Sequence, residues 1–335
     1  MKTHVNRRDF LATSALATAG VLATGSLSAT AATTETPTTP AREATLHKAM
    51  IGPPKEAVLR SWQAAGIRGM ETVGTQAWQK SPVDAAKDHL TAEQLGMRIH
   101  SVLFGWANVN DKDSGKVARD IENTKTALRA AQGYGADTLL WVPCKISDMP
   151  MPKPWDFDIK FDEKTGHVTQ VAAGDNAPYE KYIEAYNAST DASRKAIEKL
   201  IPVAQETGVV IAIENVWNNL WVTPATFANF IGSFNSHWVQ AYYDVANHVR
   251  YAPPEEWIKA LGSLIVKLHI KDFRLDRNNA NGGHFVNIRD GSVNWPSVLA
   301  ELDKIGYHGW ATLEGSGRMP LEERVKRLDL IVDGK

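Results

Sequence analysis

The sequence predicts an α/β fold of the (β/α)8 barrel type, with an inserted hairpin-containing segment after the fourth strand. Three observations predict it. First, residues 44–335 repeat one unit, an amphipathic helix, a glycine and an apolar strand. The junctions read AAGIRGMETV, QLGMRIHSVL, GYGADTLLWV, ETGVVIAIEN, IGSFNSHWVQAYYD, ALGSLIVKLHI and KIGYHGWATLE. Second, each junction holds a glycine (Gly66, Gly96, Gly135, Gly208, Gly232, Gly262 and Gly306) where a left-handed residue would stop the helix. Third, these junctions and an opening strand around His47–Gly52 make eight units, and strands alternating with helices pair in parallel. An open doubly wound sheet would need a glycine-rich phosphate loop, which the sequence lacks.

The barrel is preceded by something different. Asn6-Arg7-Arg8-Asp9-Phe10-Leu11 has a twin-arginine pattern, a mild apolar stretch runs to Gly25, and Ala29-Thr30-Ala31 offers small residues for cleavage. Residues 1–31 are therefore expected to be a twin-arginine signal peptide, with the export machinery as a partner and a periplasmic or extracellular destination. Residues 32–43, containing TTETPTTP, read as a flexible linker, and 44–335 as one catalytic domain. Export after folding lets a metal be loaded in the cytoplasm, before competing ions that bind more tightly are met.

Within the barrel two spacings are long. Gly135 to Gly208 is 73 residues, against 30 from Gly66 to Gly96. The excess, 146–187, contains DIKFDEKTGHVTQVA, which reads as a two-stranded hairpin turning at Lys164-Thr165-Gly166. It follows strand four and is expected on the active-site rim, where Trp155, Phe157, Tyr179 and Tyr182 would cover a substrate or simply decorate the surface. The second excess, Arg274–Asn294, follows strand seven on the same rim.

A polar residue at the C-terminal end of a barrel strand usually belongs to the site. Strand five ends IAIENVWNN with Glu214, strand six AYYDVANHVR with Asp244, strand seven is KLHIKDF with His269, and strand eight ends WATLEGS with Glu314. Clustered carboxylates without cations repel one another, and one divalent metal removes the conflict. Three hard oxygens and one imidazole suit Mn²⁺, with Mg²⁺, Co²⁺ and Zn²⁺ as alternatives. The competing expectation is a metal-free ion-pair network with Lys271 and Arg274. By strand parity Lys271 shares the inward face of His269, either as an acid/base or oxyanion binder, or as the counter-ion of Asp272 or Glu314. His100, ending strand three, and Glu71, ending strand two, are expected to line the pocket, with a structural hydrogen bond as the plainer role. Among the tryptophans near strand ends (Trp106, Trp141, Trp217 and Trp221), Trp217 is the expected sugar contact.

IENVWN, YYDVANH, LHIKDF, DGSVNW and TLEGS together resemble the xylose isomerase-like superfamily of sugar epimerases and isomerases. Its relatives include D-tagatose 3-epimerase, hydroxypyruvate isomerase and inosose dehydratase. The resemblance spans the whole barrel and is most specific from strand five onward. It implies that Glu214, Asp244, His269 and Glu314 are metal ligands, and that Glu214 and Glu314 shuttle a proton on opposite sides of a substrate carbon. Two departures stand out. Asn247, followed by His248, occupies the place where ketose 3-epimerases carry a substrate-binding histidine, and Arg289-Asp290-Gly291 replaces a Gly-Glu-Gly turn.

The expected activity is metal-dependent isomerisation or epimerisation of an unphosphorylated keto-sugar, since sugar phosphates are largely cytoplasmic. The alternatives are a lyase or dehydratase acting on 3-keto-glycosides or keto-inositols, with Lys271 or His248 as the extra acid, and a non-catalytic sugar-binding barrel. A net charge of −1 argues against nucleic acid as a partner. Endonuclease IV shares the barrel but holds three zincs with many histidines. The mature part has no membrane span, the single cysteine, Cys144, cannot form an internal disulfide, and a homo-oligomer stays open.

Overall fold

The computed structural model describes residues 45–334. The expected export signal, 1–31, and the linker, 32–43, lie outside the described residues. Eight parallel strands close a barrel: β1 (Thr45–Gly52), β2 (Gly69–Val73), β3 (Arg98–Trp106), β4 (Thr138–Val142), β5 (Val210–Glu214), β6 (Val239–Asp244), β7 (Ile265–Ile270) and β8 (His308–Leu313). Each pairs with its chain neighbours, and β8 returns to β1.

The helices between them, beginning with α1 (Glu56–Ala64) and the short α2 (Thr75–Trp78), are bounded by local chemistry. Ser81 caps α3 (Pro82–Gln94), Asp113 caps α4 (Ser114–Gly133), and Thr223 forms a capping box with Thr226 at α6 (Pro224–Gly232). At the other ends, Gly208 takes φ 70° where α5 (Glu180–Thr207) stops. Gly232 departs from expectation. It remains inside α6, and Asn235 makes the left-handed turn at φ 45°. Asparagine is among the few side chains that visit this region readily.

Alternation then sorts each strand into a helix-facing and an interior set. In β7, Leu268 and Ile270 join the outer core, whereas Lys267, His269 and Lys271, just beyond the strand, find polar partners inside. Lys267 sits near the N-terminal end of the barrel, 2.7 Å from Asp137. Above it, Trp310 stacks on His100 at 4.8 Å and approaches Gly69 so closely that a Cβ there would lie 2.3 Å from the indole.

Both long loops contain hairpins. Lys160–Phe161 pairs antiparallel with Val168–Gln170, turning through Gly166 at φ 75°. That hairpin leans on α5 and α6: Asn187 holds the backbone of Val168 and Asn229 the carbonyl of Glu163. The earlier part of the insertion, around Met149–Phe157, borders Trp217 instead. Tyr182, expected to cover a substrate, is fully buried and donates to the Asn219 carbonyl.

After β7, Asp272–Leu275 pairs with Gly283–Val286. The Asp272 carboxylate accepts backbone N–H groups from Phe273, Arg289, Gly291 and Val293. Gly291 packs against it so tightly that a Cβ would meet Oδ1 at 2.0 Å. Asp272 therefore organises this loop and is not the counter-ion of Lys271.

Candidate metal centre

Four consecutive strands, β5 to β8, each bring one ligand-type side chain to the same rim. Glu214, Asp244, His269 and Glu314 each offer an atom lying within 4.8 Å of all the others. Asp244 and His269 are sealed from solvent, Glu214 nearly so, and the Glu314 side chain is 28% exposed. The open side of the cluster is thus the Glu314 side.

Hydrogen bonds aim the donors. Asp244 Oδ1 accepts the N–H groups of Ala246 and Asn247, leaving Oδ2 buried with no partner. Glu314 Oε1 accepts from Lys271 Nζ at 3.0 Å, and Oε2 turns to His269. His269 Nε2 donates to Glu71 Oε2 at 2.6 Å. Its Nδ1 therefore faces Glu214 Oε1 at 3.3 Å and Glu314 Oε2 at 3.1 Å. An orphaned Asp244 oxygen, glutamate oxygens from Glu214 and Glu314 and an imidazole nitrogen sharing one focus are what a cation site requires.

The charges agree. Glu71, Glu214, Asp244 and Glu314 supply four carboxylates, against Lys271 and His269. Even with the histidine protonated, two negative charges lack a counter-charge. Burial raises the pKa of Asp244 well above the carboxylate range; Lys271 opposes this, while Glu314 and Glu214 add to it. Burial likewise raises Glu214, against the hydrogen bond from His269. Glu314 is also disfavoured by burial, but His269 and Lys271 more than offset that and hold it far below the usual range. For Lys271, burial works against the charge, but Asp244, Glu314 and Glu214 outweigh it and keep the ammonium protonated.

Several expected contacts lie elsewhere. Glu71 and His100 are fully buried and do not line an open pocket. Glu71 holds His269 and accepts from Ser101 Oγ, while His100 Nε2 meets Thr312 Oγ1 at 3.2 Å. His248 points away from the cluster. It donates from Nε2 to the Val216 carbonyl and packs on Tyr251 and Trp257; burial pushes its pKa down to about 3, so it stays neutral. Asn247 does sit at the cluster, with Nδ2 3.3 Å from Glu214 Oε1 and Oδ1 accepting from Lys271. Arg274 reaches back to the Asp290 carbonyl and, with Lys271 and Phe285, borders a rim cavity of about 590 Å³. Trp141 and Trp221 are core residues, and Trp106 is exposed. Trp217 donates from its indole nitrogen to the Asn247 carbonyl, which places it one residue from the cluster.

Residues 59–330 match the family described as "Xylose isomerase-like TIM barrel". The chain belongs to this family. Family members commonly bind a divalent metal. An uncharacterized protein of Methanocaldococcus jannaschii is 22% identical over 147 residues, covering 42% of this chain, and the chain spans only 47% of that relative's length. Solved structures extend the likeness to the whole barrel. D-allulose 3-epimerase from Methylomonas sp., solved with D-allulose, superposes with TM-score 0.63 at 17% identity, covering 88% of this chain and 99% of its own. The 3-keto-D-glucoside 4-epimerase of E. coli gives 0.62 at 13% identity, covering 86% and 99%. The probable 3-DHS dehydratase of Bacillus anthracis gives 0.58 at 13%, covering 85% and 99%. At these identities the likeness shows the fold; the activities are those proteins' own.

Proposed function

We propose that this family member is a divalent-metal-dependent epimerase or isomerase of an unphosphorylated keto-sugar, acting through an enediolate. The observation that carries the reading is the placing of two glutamates, Glu214 and Glu314, on the outermost of four consecutive strands, both aimed at one focus. We further propose that residues 1–31 direct export, which favours a substrate without phosphate.

Glu214, Asp244, His269 and Glu314 would hold the ion, with Mn²⁺ favoured by the donor set. Bound there, a divalent cation supplies electrostatic stabilisation of the substrate oxygen on which negative charge develops. The chain's own residues move the proton. Glu214, whose proton affinity burial raises, takes the hydrogen from the carbon beside the carbonyl. The C–H electron pair becomes the enediolate double bond, and the carbonyl oxygen takes the charge. Glu314, ionised beside Lys271, relays a proton drawn from the Lys271 ammonium to the opposite face for epimerisation or to the neighbouring carbon for isomerisation, and solvent then returns a proton to Lys271 and takes one from Glu214. In the reverse direction the two glutamates exchange roles.

A second reading rests on Lys271. Its ammonium lies 3.0 Å from Glu314 and 3.3 Å from Asn247, beside the reaction focus, and can protonate a departing oxygen. The same enolate would then expel a β-substituent from a 3-keto-glycoside or keto-inositol. Incubation in D₂O separates the two. Free ketoses are expected to gain deuterium at the carbon next to the carbonyl. Release of aglycone from 3-keto-glycosides, with no exchange in any free ketose, would replace the isomerase by the lyase.

Glu71 acts one step behind the ligands. By accepting the Nε2 proton it fixes the tautomer that leaves Nδ1 free to coordinate. Glu71→Gln is expected to weaken Mn²⁺ affinity about 10- to 100-fold without unfolding the barrel. Calorimetric titration showing wild-type affinity would remove Glu71 from this role.

A further inference from the structure

Beyond the metal centre, Arg250 raises a question that the reaction does not answer. It lies six residues past Asp244 and is only partly exposed, and among the described residues no carboxylate pairs with it. Its guanidinium lies 3.7 Å over the Trp217 ring and 4.8 Å over Tyr251. Its hydrogen bonds go to neutral acceptors, the Asn281 carbonyl and the Tyr251 hydroxyl, and its Nε is buried with no partner. Burial pulls its pKa down, and only Tyr251 pushes back. Cation–π contact offsets part of the cost of desolvating such a charge, but an arginine fork is best matched by a planar oxyanion.

The surroundings point the same way. Arg250 and Trp217 border a cavity of about 350 Å³, whose opposite wall is the early part of the 146–187 insertion. Lys153 stands on that wall and Lys145 immediately precedes it, and neither forms an ion pair among the described residues. Asp148 is the one carboxylate in the lining, so three cations face one acid. The cavity is joined to the reaction centre through Trp217, whose indole bonds the Asn247 backbone, while the Asn247 side chain bonds Glu214 and Lys271. Phe285 packs on Trp217 at 5.1 Å, and the Lys271 ammonium lies 4.5 Å over the Phe285 ring.

We propose that the cavity between Arg250, Trp217 and the segment Lys145–Lys153, at the start of the insertion, is an anion subsite, which holds the carboxylate of a uronic-acid-type residue attached to the reacting sugar. The proposal rests on the reading above in placing the reacting ring at the Glu214–Glu314 focus. It makes the substrate an acidic glycoside rather than a free neutral ketose. The insertion then acts as a specificity element, supplying Lys153 next to Lys145, which immediately precedes it.

Binding tests the subsite without requiring turnover. The full chain is titrated with methyl β-D-glucuronide and with methyl β-D-glucoside, which share a ring and differ in the carboxylate. The glucuronide is expected to bind at least about tenfold more tightly at low salt, and the preference should shrink as salt rises. Arg250→Gln should abolish the preference and Arg250→Lys should keep part of it. The double substitution Lys145→Gln, Lys153→Gln, on exposed side chains, should reduce it even if Arg250→Gln fails to fold. His269→Ala, which disables the metal centre, should leave it intact. Equal binding of the two glycosides overturns the proposal. So does a preference that survives both sets of subsite substitutions, or one lost in His269→Ala, which would place the carboxylate at the metal. Failure of deuterium exchange would count against the isomerase and leave this result standing.

Discussion

Glu214→Gln is expected to lower deuterium exchange and turnover by about three orders of magnitude, with the barrel still folded. Glutamine keeps an oxygen that can face the cation and keeps nearly the same shape, so little packing is disturbed. What it loses is the lone pair that accepts the carbon-bound proton. Nothing nearby can take over. Asn247 is an amide, Lys271 holds its proton under the influence of three carboxylates, and Asp244 is sealed from solvent, with Oδ1 on two backbone N–H groups and Oδ2 left for the ion. Glu314→Gln should cause a comparable loss of turnover by a different route, while exchange at the carbon facing Glu214 persists. The first deprotonation survives, but proton return from the other side fails and Lys271 loses its hydrogen-bond acceptor. The double variant should therefore be little worse than either single one, because both belong to one relay. Exchange and product formation measured together check this. Near-normal activity in either single variant ends the two-glutamate mechanism.

The quartet was legible in the sequence because barrel topology turns strand ends into a ring. Once the glycine junctions numbered the strands, Glu214, Asp244, His269 and Glu314 had only one place to converge. Glu71 was placed at the correct strand end, with a structural hydrogen bond as its plainer role, but its partner His269 was not legible. Its contact with His269 spans 198 residues, and it depends on a shift of register between β2 and β3 at Met70/Glu71. Opposite that shift β3 carries one extra residue, and both His100 and Ser101 find interior partners. Simple alternation would turn one of them outward. His248 misled because its neighbour Asn247 shares the motif. In the turn after β6, Asn247 faces the cluster and His248 faces α7 (Pro254–Leu261), where Trp257 packs against it. Arg250 gave no signal at all. An arginine in a turn is ordinarily a solvated residue, and only the ring of Trp217, reached from another strand, shows otherwise.

Removing the metal should have the second large effect, and Asp244 tells whether the quartet is a cation site or an ion-pair network. Dialysis against a chelator is expected to reduce turnover by at least about 10³-fold, because without the cation the developing oxyanion would face an excess of carboxylates. Mn²⁺ should restore it. Thermal stability should fall as well. A ligand present at 100 times its Kd stabilises the folded state by about 2.7 kcal/mol, which for a domain of this size is roughly 5 °C. Asp244→Asn then separates the alternatives. Its carboxylate is buried, one oxygen is unpartnered, and burial raises its pKa well above the usual range, so ionising it costs the metal-free fold free energy. If the quartet binds a cation, the asparagine variant without metal should melt no lower than wild type without metal, and it should lose the response to Mn²⁺. If instead Asp244 serves as counter-ion to Lys271 and His269, at 3.9 and 4.0 Å, the same change should lower the melting temperature by several degrees and chelation of wild type should have no effect. The signs are opposite, so one pair of melting curves with and without chelator decides between them.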